Sequence, residues 1–116
     1  MTVARCLDAE GLFLLHTIGA SVSGTVGDPW VDKYIFPDGI VPSLRQLSGA
    51  AEGLFRIEDA HNFGHYYDTT LLAWERNFTQ GWNSIKGQYG EKSFRMWRFY
   101  LLSCAGSFRR LTARCA

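Results

Sequence analysis

No stretch of this 116-residue chain approaches the ~20 consecutive apolar residues that a membrane-spanning helix needs. The best run, Leu12-Phe13-Leu14-Leu15, is interrupted by His16. The first residues lack a basic segment followed by a cleavage site, so no signal peptide is read there. Cysteine is scarce. Cys6, Cys104 and Cys115 are odd in number and share no metal-ligand spacing, which reads as reduced thiols of a cytoplasmic protein without a metal site. An excess of one charge is missing too: 12 basic side chains against 11 acidic give a formal +1, which excludes a generally basic nucleic-acid wrapper. There is no glycine-rich phosphate or cofactor loop, no nucleophile elbow and no zinc signature. Spacing alone therefore names no reaction.

Aromatics are plentiful. Eight Phe, five Tyr and four Trp let a chain of this length bury enough apolar area to offset its ordering entropy, and the length suits one domain. The charge is unevenly placed. Residues 1–90 hold six basic and ten acidic residues, whereas 91–116 hold six basic residues and Glu91 alone. A basic end carrying aromatics either forms a solvated helix face, the commoner outcome, or meets anionic lipid headgroups.

The pattern along the chain predicts a short helix over 2–8 stopped near Glu10-Gly11, then a buried strand over 12–17. Residues 19–28 read as a flexible loop. Asp28-Pro29 is a helix start, Pro37-Asp38-Gly39 a turn, and Pro42-Ser43 opens a second short helix that ends by Gly53. A second strand is expected over 54–60. Two longer helices follow, with apolar stripes Tyr67, Leu71, Trp74, Phe78, Trp82 and Phe94, Trp97, Leu101, Cys104, Phe108, and with Gly81, Gly87 and Gly90 bracketing the connection. Core packing is the ordinary meaning of both stripes. A helix feeding a both-faces-buried strand is half of a βαβ unit, so the chain is expected to begin in mid-fold.

His16 falls at the carboxyl end of the first expected strand, where ligands of open α/β sheets bind. Its imidazole and the N–H of Ile18 are suited to an anion, with a core histidine as the equal alternative. His61 and His65 stand four apart with Gly64 between them, a weak metal pattern. Tyr66 and Tyr67 begin the next helix. The Asn77-Phe78-Thr79 acceptor pattern lies inside a helix and carries no meaning here.

Several blocks, in order, resemble the cyclopropane-fatty-acyl-phospholipid synthase family: Glu10-Gly-Leu-Phe-Leu-Leu-His-Thr-Ile-Gly19, Asp28-Pro-Trp-Val-Asp-Lys-Tyr-Ile-Phe-Pro37, Pro42-Ser-Leu-Arg-Gln46, Ile57-Glu-Asp59 with His61-Asn-Phe-Gly64, Tyr67-Asp-Thr-Thr70 with Leu72-Ala-Trp74, and Phe94-Arg-Met-Trp97 with Phe99-Tyr-Leu101 and Cys104-Ala-Gly106. The resemblance covers about 3–109 and leaves 110–116 as a divergent tail. It implies an α/β fold: the C-terminal part of a Rossmann-like methyltransferase, with two short strands, several helices and an incomplete sheet, as one partial domain over 1–116. It further implies S-adenosylmethionine as methyl donor to the cis double bond of a phospholipid acyl chain. Loss of a proton from the new methyl then closes the ring, with bicarbonate as general base. The bicarbonate-holding positions fall on His16, Ile18 and Tyr67; none of the cofactor-binding positions falls in this chain.

These readings lead to an expected fragment with little activity alone, peripheral at the membrane surface, partnered by phospholipids and by a cofactor-binding half. Phe94, Trp97, Phe99, Tyr100 and Leu101 are candidates for the lipid-facing lining, and Arg95 and Arg98 for headgroup contacts. The alternatives are a non-catalytic lipid-surface or partner-binding module, and a related methyltransferase with another acceptor.

Overall fold

The computed structural model describes residues 2–112. It is mostly helical: α1 (Thr2–Cys6), α2 (Pro29–Tyr34), α3 (Leu44–Ala51), a 3-10 turn (Gly64–Tyr66) and α4 (Tyr67–Thr112). Local chemistry explains each start. The Asp28 carboxylate accepts from the backbone N–H groups of Trp30 and Val31, and Pro29 occupies the first turn of α2, where no donor is needed. Ser43 and Gln46 form a reciprocal capping box on α3.

Helix α4 is two arms, 67–89 and 91–112, folded against each other at Gly90. The φ of 69° and ψ of 166° there belong to a region essentially reserved for glycine. Gly81 and Gly87 stay helical inside the first arm, so the reversal is narrower than the sequence suggests. Gly90→Ala is expected to destabilise the hairpin by about 1–3 kcal/mol. Denaturant melts followed by circular dichroism read this; a stability equal to wild type contradicts it.

The arms pack antiparallel. Leu71, Leu101 and Ala105 form the buried core, flanked by Tyr67, Leu72, Phe78, Tyr100, Cys104 and Phe108. Phe78 and Trp82 meet Phe94 at ring separations of 5.6 and 4.9 Å, and Tyr67 meets Phe108 at 5.2 Å. Most of both expected stripes is thus core, with Ala105 an addition and Trp74 half exposed. Two ion pairs cross the hairpin: Arg98 to Glu75 at 2.6 Å and Arg109 to Asp68 at 3.1 Å.

Those arginines, by hydrogen bonding, hold the Asp68 and Glu75 carboxyls below the usual carboxylate range. A depressed folded-state pKa adds stability above the unfolded pKa and loses it as pH falls through the folded value. Hairpin stability is therefore expected to fall below about pH 4, and less steeply in an Asp68→Asn/Glu75→Gln variant. An acid limb of equal steepness in that variant contradicts the assignment.

The expected sheet does not form among the described residues. Segments 12–17 and 55–60 have no regular secondary structure, and Leu54 belongs to the turn that follows α3. The one β-type pairing is an isolated parallel bridge between Ala20 and Ser43. Strands need a partner backbone, and among the described residues these segments meet through one ring contact, Phe13 on Phe55 at 5.8 Å. Leu12 and Leu14 consequently remain 85% and 88% exposed rather than covered on both faces. The radius of gyration, 17.5 Å against about 13 Å for a compact chain of this size, reflects the same small core. Among the described residues no helix is long and apolar enough to cross a membrane. Cys6 and Cys104 are free thiols; Cys115 lies outside the described residues.

Candidate functional site

Three long-range hydrogen bonds fix the segment that carries His16. The Ala20 N–H donates to the Pro42 carbonyl at 2.9 Å, the Ser23 and Ser43 hydroxyls lie 2.7 Å apart, and Gln46 Nε2 donates to the Gly24 carbonyl at 3.1 Å. Ser43 is the buried polar anchor of this arrangement. The composition-flexible loop of 19–28 is thereby tied to the start of α3. His16, Thr17 and Ile18 are held opposite the stretch that follows α2.

That stretch reverses at Asp38, whose N–H donates to the Asp32 carboxylate and whose φ is 59°. The Gly39 N–H closes the turn onto the Phe36 carbonyl at 3.1 Å, as expected of Pro37-Asp38-Gly39. Gly27 lies against this turn; a Cβ there would meet the Gly39 carbonyl at 2.8 Å, so the approach requires glycine. Phe36 reaches α4 edge-on, 6.1 Å from Trp97 and 5.8 Å from Tyr100. Together these elements enclose an open cavity of about 730 Å³.

Its lining mixes the polar groups of His16, Thr17, Tyr67 and Tyr100 and the backbone of Ile18 with the apolar side chains of Val31, Ile35, Phe36, Ile40 and Val41. His16 is exposed and has no hydrogen-bond partner among the described residues. The Ile18 N–H and the Tyr67 hydroxyl likewise have no acceptor among them. A neutral imidazole N–H, an amide and a phenol are all donors, so the set matches a small oxyanion.

Burial, then the neighbouring Cys104 thiol, pushes the Tyr100 pKa up to about 12, and burial also raises Cys104. Tyr100 therefore keeps its proton at any physiological pH.

The other sequence-selected residues are dispersed. Phe94 stacks on Phe78, and Leu101 is buried in the hairpin core, so both face the opposite arm rather than the cavity. Trp97 supports the wall through Phe36, and Phe99 lies on the far side of α2 against Trp30 at 4.9 Å. Arg98 is paired with Glu75 across the hairpin. His61 pairs with Asp59 at 2.9 Å and His65 rests on Tyr66; no cluster of three metal-ligating side chains occurs among the described residues. The apolar wall was missed in the sequence. Its available signal was Val31 and Ile35, four residues apart on one face of a short helix, continued by Phe36.

Comparison with known proteins places these residues in context. The model of the mycolic acid cyclopropane synthetase family matches residues 1–116. The cyclopropane-fatty-acyl-phospholipid synthase of Escherichia coli K12 is 50% identical over 107 residues, which cover 92% of this chain and 28% of that protein. A sphingolipid C9-methyltransferase of Candida albicans is 33% identical over 121 residues, covering 96% and 23%. A sphingolipid C9-methyltransferase of Gibberella zeae is 32% identical over 116 residues, covering 94% and 22%. The chain thus spans between about a fifth and little more than a quarter of the length of these relatives.

Proposed function

The chain belongs to the mycolic acid cyclopropane synthetase family, and from that membership we propose that it supplies the base-holding and acyl-facing walls of an S-adenosylmethionine-dependent methyltransferase that converts a cis double bond of a phospholipid acyl chain to a cyclopropane. One observation carries the reading: His16 and Ile18 open onto the same cavity as Tyr67, about 50 residues later in the chain, and that cavity is otherwise lined mostly by apolar side chains.

Bicarbonate suits the donors of this cavity. The His16 imidazole, the Ile18 amide and the Tyr67 hydroxyl would hold it, and when bound it supplies the general base. These donors fix the oxyanion in place, which matters because misplacing a reacting group by about 1 Å costs roughly 10²-fold in rate. The wall of Val31, Ile35 and Phe36 keeps water away and receives the hydrocarbon. S-adenosylmethionine does not fit the described residues. The cavity presents no carboxylate to bind a ribose, and no glycine loop leaves a strand there. No step through it is assigned to this chain, which is expected to have little or no synthase activity alone.

The E. coli relative provides the test. A chimera carrying residues 3–109 of this chain in place of the matching segment is expected to form cyclopropane rings on unsaturated phospholipid vesicles, and the 116-residue chain alone to form none. A folded but inert chimera overturns the functional reading, and ring formation by the isolated chain overturns its incompleteness. Identity to sphingolipid methyltransferases favours one second reading, a methyl transfer to a different lipid acceptor. Product analysis of the chimera with both lipid classes separates the two.

A further inference from the structure

Tyr100 lines the cavity from the second arm of the hairpin, Tyr67 from the first, and the base-holding reading leaves Tyr100 without a role. We propose that the Tyr100 hydroxyl is a further donor to the bicarbonate held by His16, Ile18 and Tyr67. The inference rests on that reading and adds a residue that the sequence marked only for the hydrocarbon lining.

The ring is fixed by its neighbours. Tyr100 packs against the core of Leu71, Leu101 and Ala105. Its ring meets Phe36 at 5.8 Å with the planes 81° apart, and Trp97 at 5.8 Å with the planes 90° apart. Phe36 and Trp97 also meet edge-on, at 6.1 Å, so the three rings hold one another in the arrangement that aromatic pairs prefer. Phe36 is itself anchored: its N–H donates to the Val31 carbonyl at 2.9 Å and its carbonyl accepts from the Gly39 N–H at 3.1 Å. A hydroxyl carried by a ring locked in this way can fix the position of a bound ion.

What the hydroxyl lacks is a good acceptor. The one acceptor it meets among the described residues is the Cys104 thiol, and a thiol sulfur accepts weakly. A phenol as buried as this one ordinarily donates to a stronger partner. No carboxylate lines the cavity to take that part. A bound oxyanion brings the missing acceptor. The Tyr67 hydroxyl adds, after burial and Cys104, to the influences that keep Tyr100 protonated. The two phenols are therefore close enough to feel each other's charge, and one small ion between them can accept from both.

Nuclear magnetic resonance of the full 116-residue chain, with tyrosine rings carrying carbon-13 at Cζ, tests the proposal during a titration with sodium bicarbonate. The Tyr67 and Tyr100 signals are expected to shift along one saturation curve. The signal of Tyr89, exposed and outside the cavity, should stay in place, and sodium chloride at equal ionic strength should move none of the three. Each signal is assigned by its loss in Tyr67→Phe, Tyr89→Phe or Tyr100→Phe. Tyr100→Phe keeps the ring contacts and removes the hydroxyl alone, and circular dichroism should match wild type. Read on Tyr67, it should raise the half-saturating bicarbonate concentration about 10- to 100-fold. In the chimera it should raise the half-saturating bicarbonate for ring formation alike and leave the Michaelis constant for phospholipid within about twofold, a split that a role in packing or in lining the hydrocarbon would not produce. A shift of Tyr67 without Tyr100, or an unchanged half-saturating concentration in Tyr100→Phe, overturns the role of Tyr100 and leaves the base-holding reading standing. No shift at Tyr67, or an equal response to sodium chloride, overturns both.

Discussion

In the chimera, His16→Ala is expected to lower the rate of ring formation about 10²-fold, because the base loses one of its fixed contacts and drifts from the proton it must take. The Michaelis constant for phospholipid should stay within about twofold, since in the proposed reading the apolar lining and not His16 receives the hydrocarbon. Steady-state assays on vesicles of varied phospholipid content read both quantities. His16 is exposed and outside the hairpin core, so a folding defect is not the expected cause of the loss. A rate within about threefold of the parent chimera would remove His16 from the site.

Leu101→Ala is expected to destabilise the chain by about 2–5 kcal/mol, the usual cost of emptying a buried leucine site. The fraction lost is large. Only Leu71, Leu101 and Ala105 form the buried hydrophobic core among the described residues, and whole-domain stabilities are only about 5–15 kcal/mol. The consequence reaches the site, because Tyr67 and Tyr100 lie on opposite arms of the hairpin that Leu101 holds together. Leu71→Ala should behave alike, and the double variant should cost less than the sum because the two side chains share one contact region. Urea melts at neutral pH measure all three. A loss under about 1 kcal/mol for Leu101→Ala would show that the arms are not held by this core.

What the sequence revealed was mostly local. Asp28-Pro29, Pro37-Asp38-Gly39 and Pro42-Ser43 specify their caps and turn within a few residues, and each lies where expected. Helical periodicity likewise named most of the hairpin core, since one helix face must be buried somewhere. The strands were not legible in the same way. An apolar run over 12–17 states a need for cover, but its ladder depends on a backbone far away in the chain, and no such pairing forms among the described residues. Nor could the run of Gly81, Gly87 and Gly90 say which glycine turns the chain; only Gly90 takes a conformation that excludes other residues.

The site divided along the same line. Local reasoning placed anion-suited donors at His16 and the Ile18 N–H, and the resemblance added Tyr67; the three line one cavity. The lipid-facing candidates on the second arm were chosen as one aromatic cluster, yet a helix points successive side chains in different directions. Phe94 and Leu101 turn to the first arm, Tyr100 to the cavity and Phe99 to Trp30. Arg98 looked equivalent to Arg95 until Glu75, 23 residues earlier, was seen to hold it.

The joint hold of His16, Ile18 and Tyr67 on one oxyanion is tested most directly by the bicarbonate dependence of the chimera's rate before and after Tyr67→Phe. Removing one hydrogen bond to a charged partner should raise the half-saturating bicarbonate concentration about 10- to 100-fold, with most of the maximal rate recovered at saturation. An unchanged half-saturating concentration would mean that the Tyr67 hydroxyl holds no such anion.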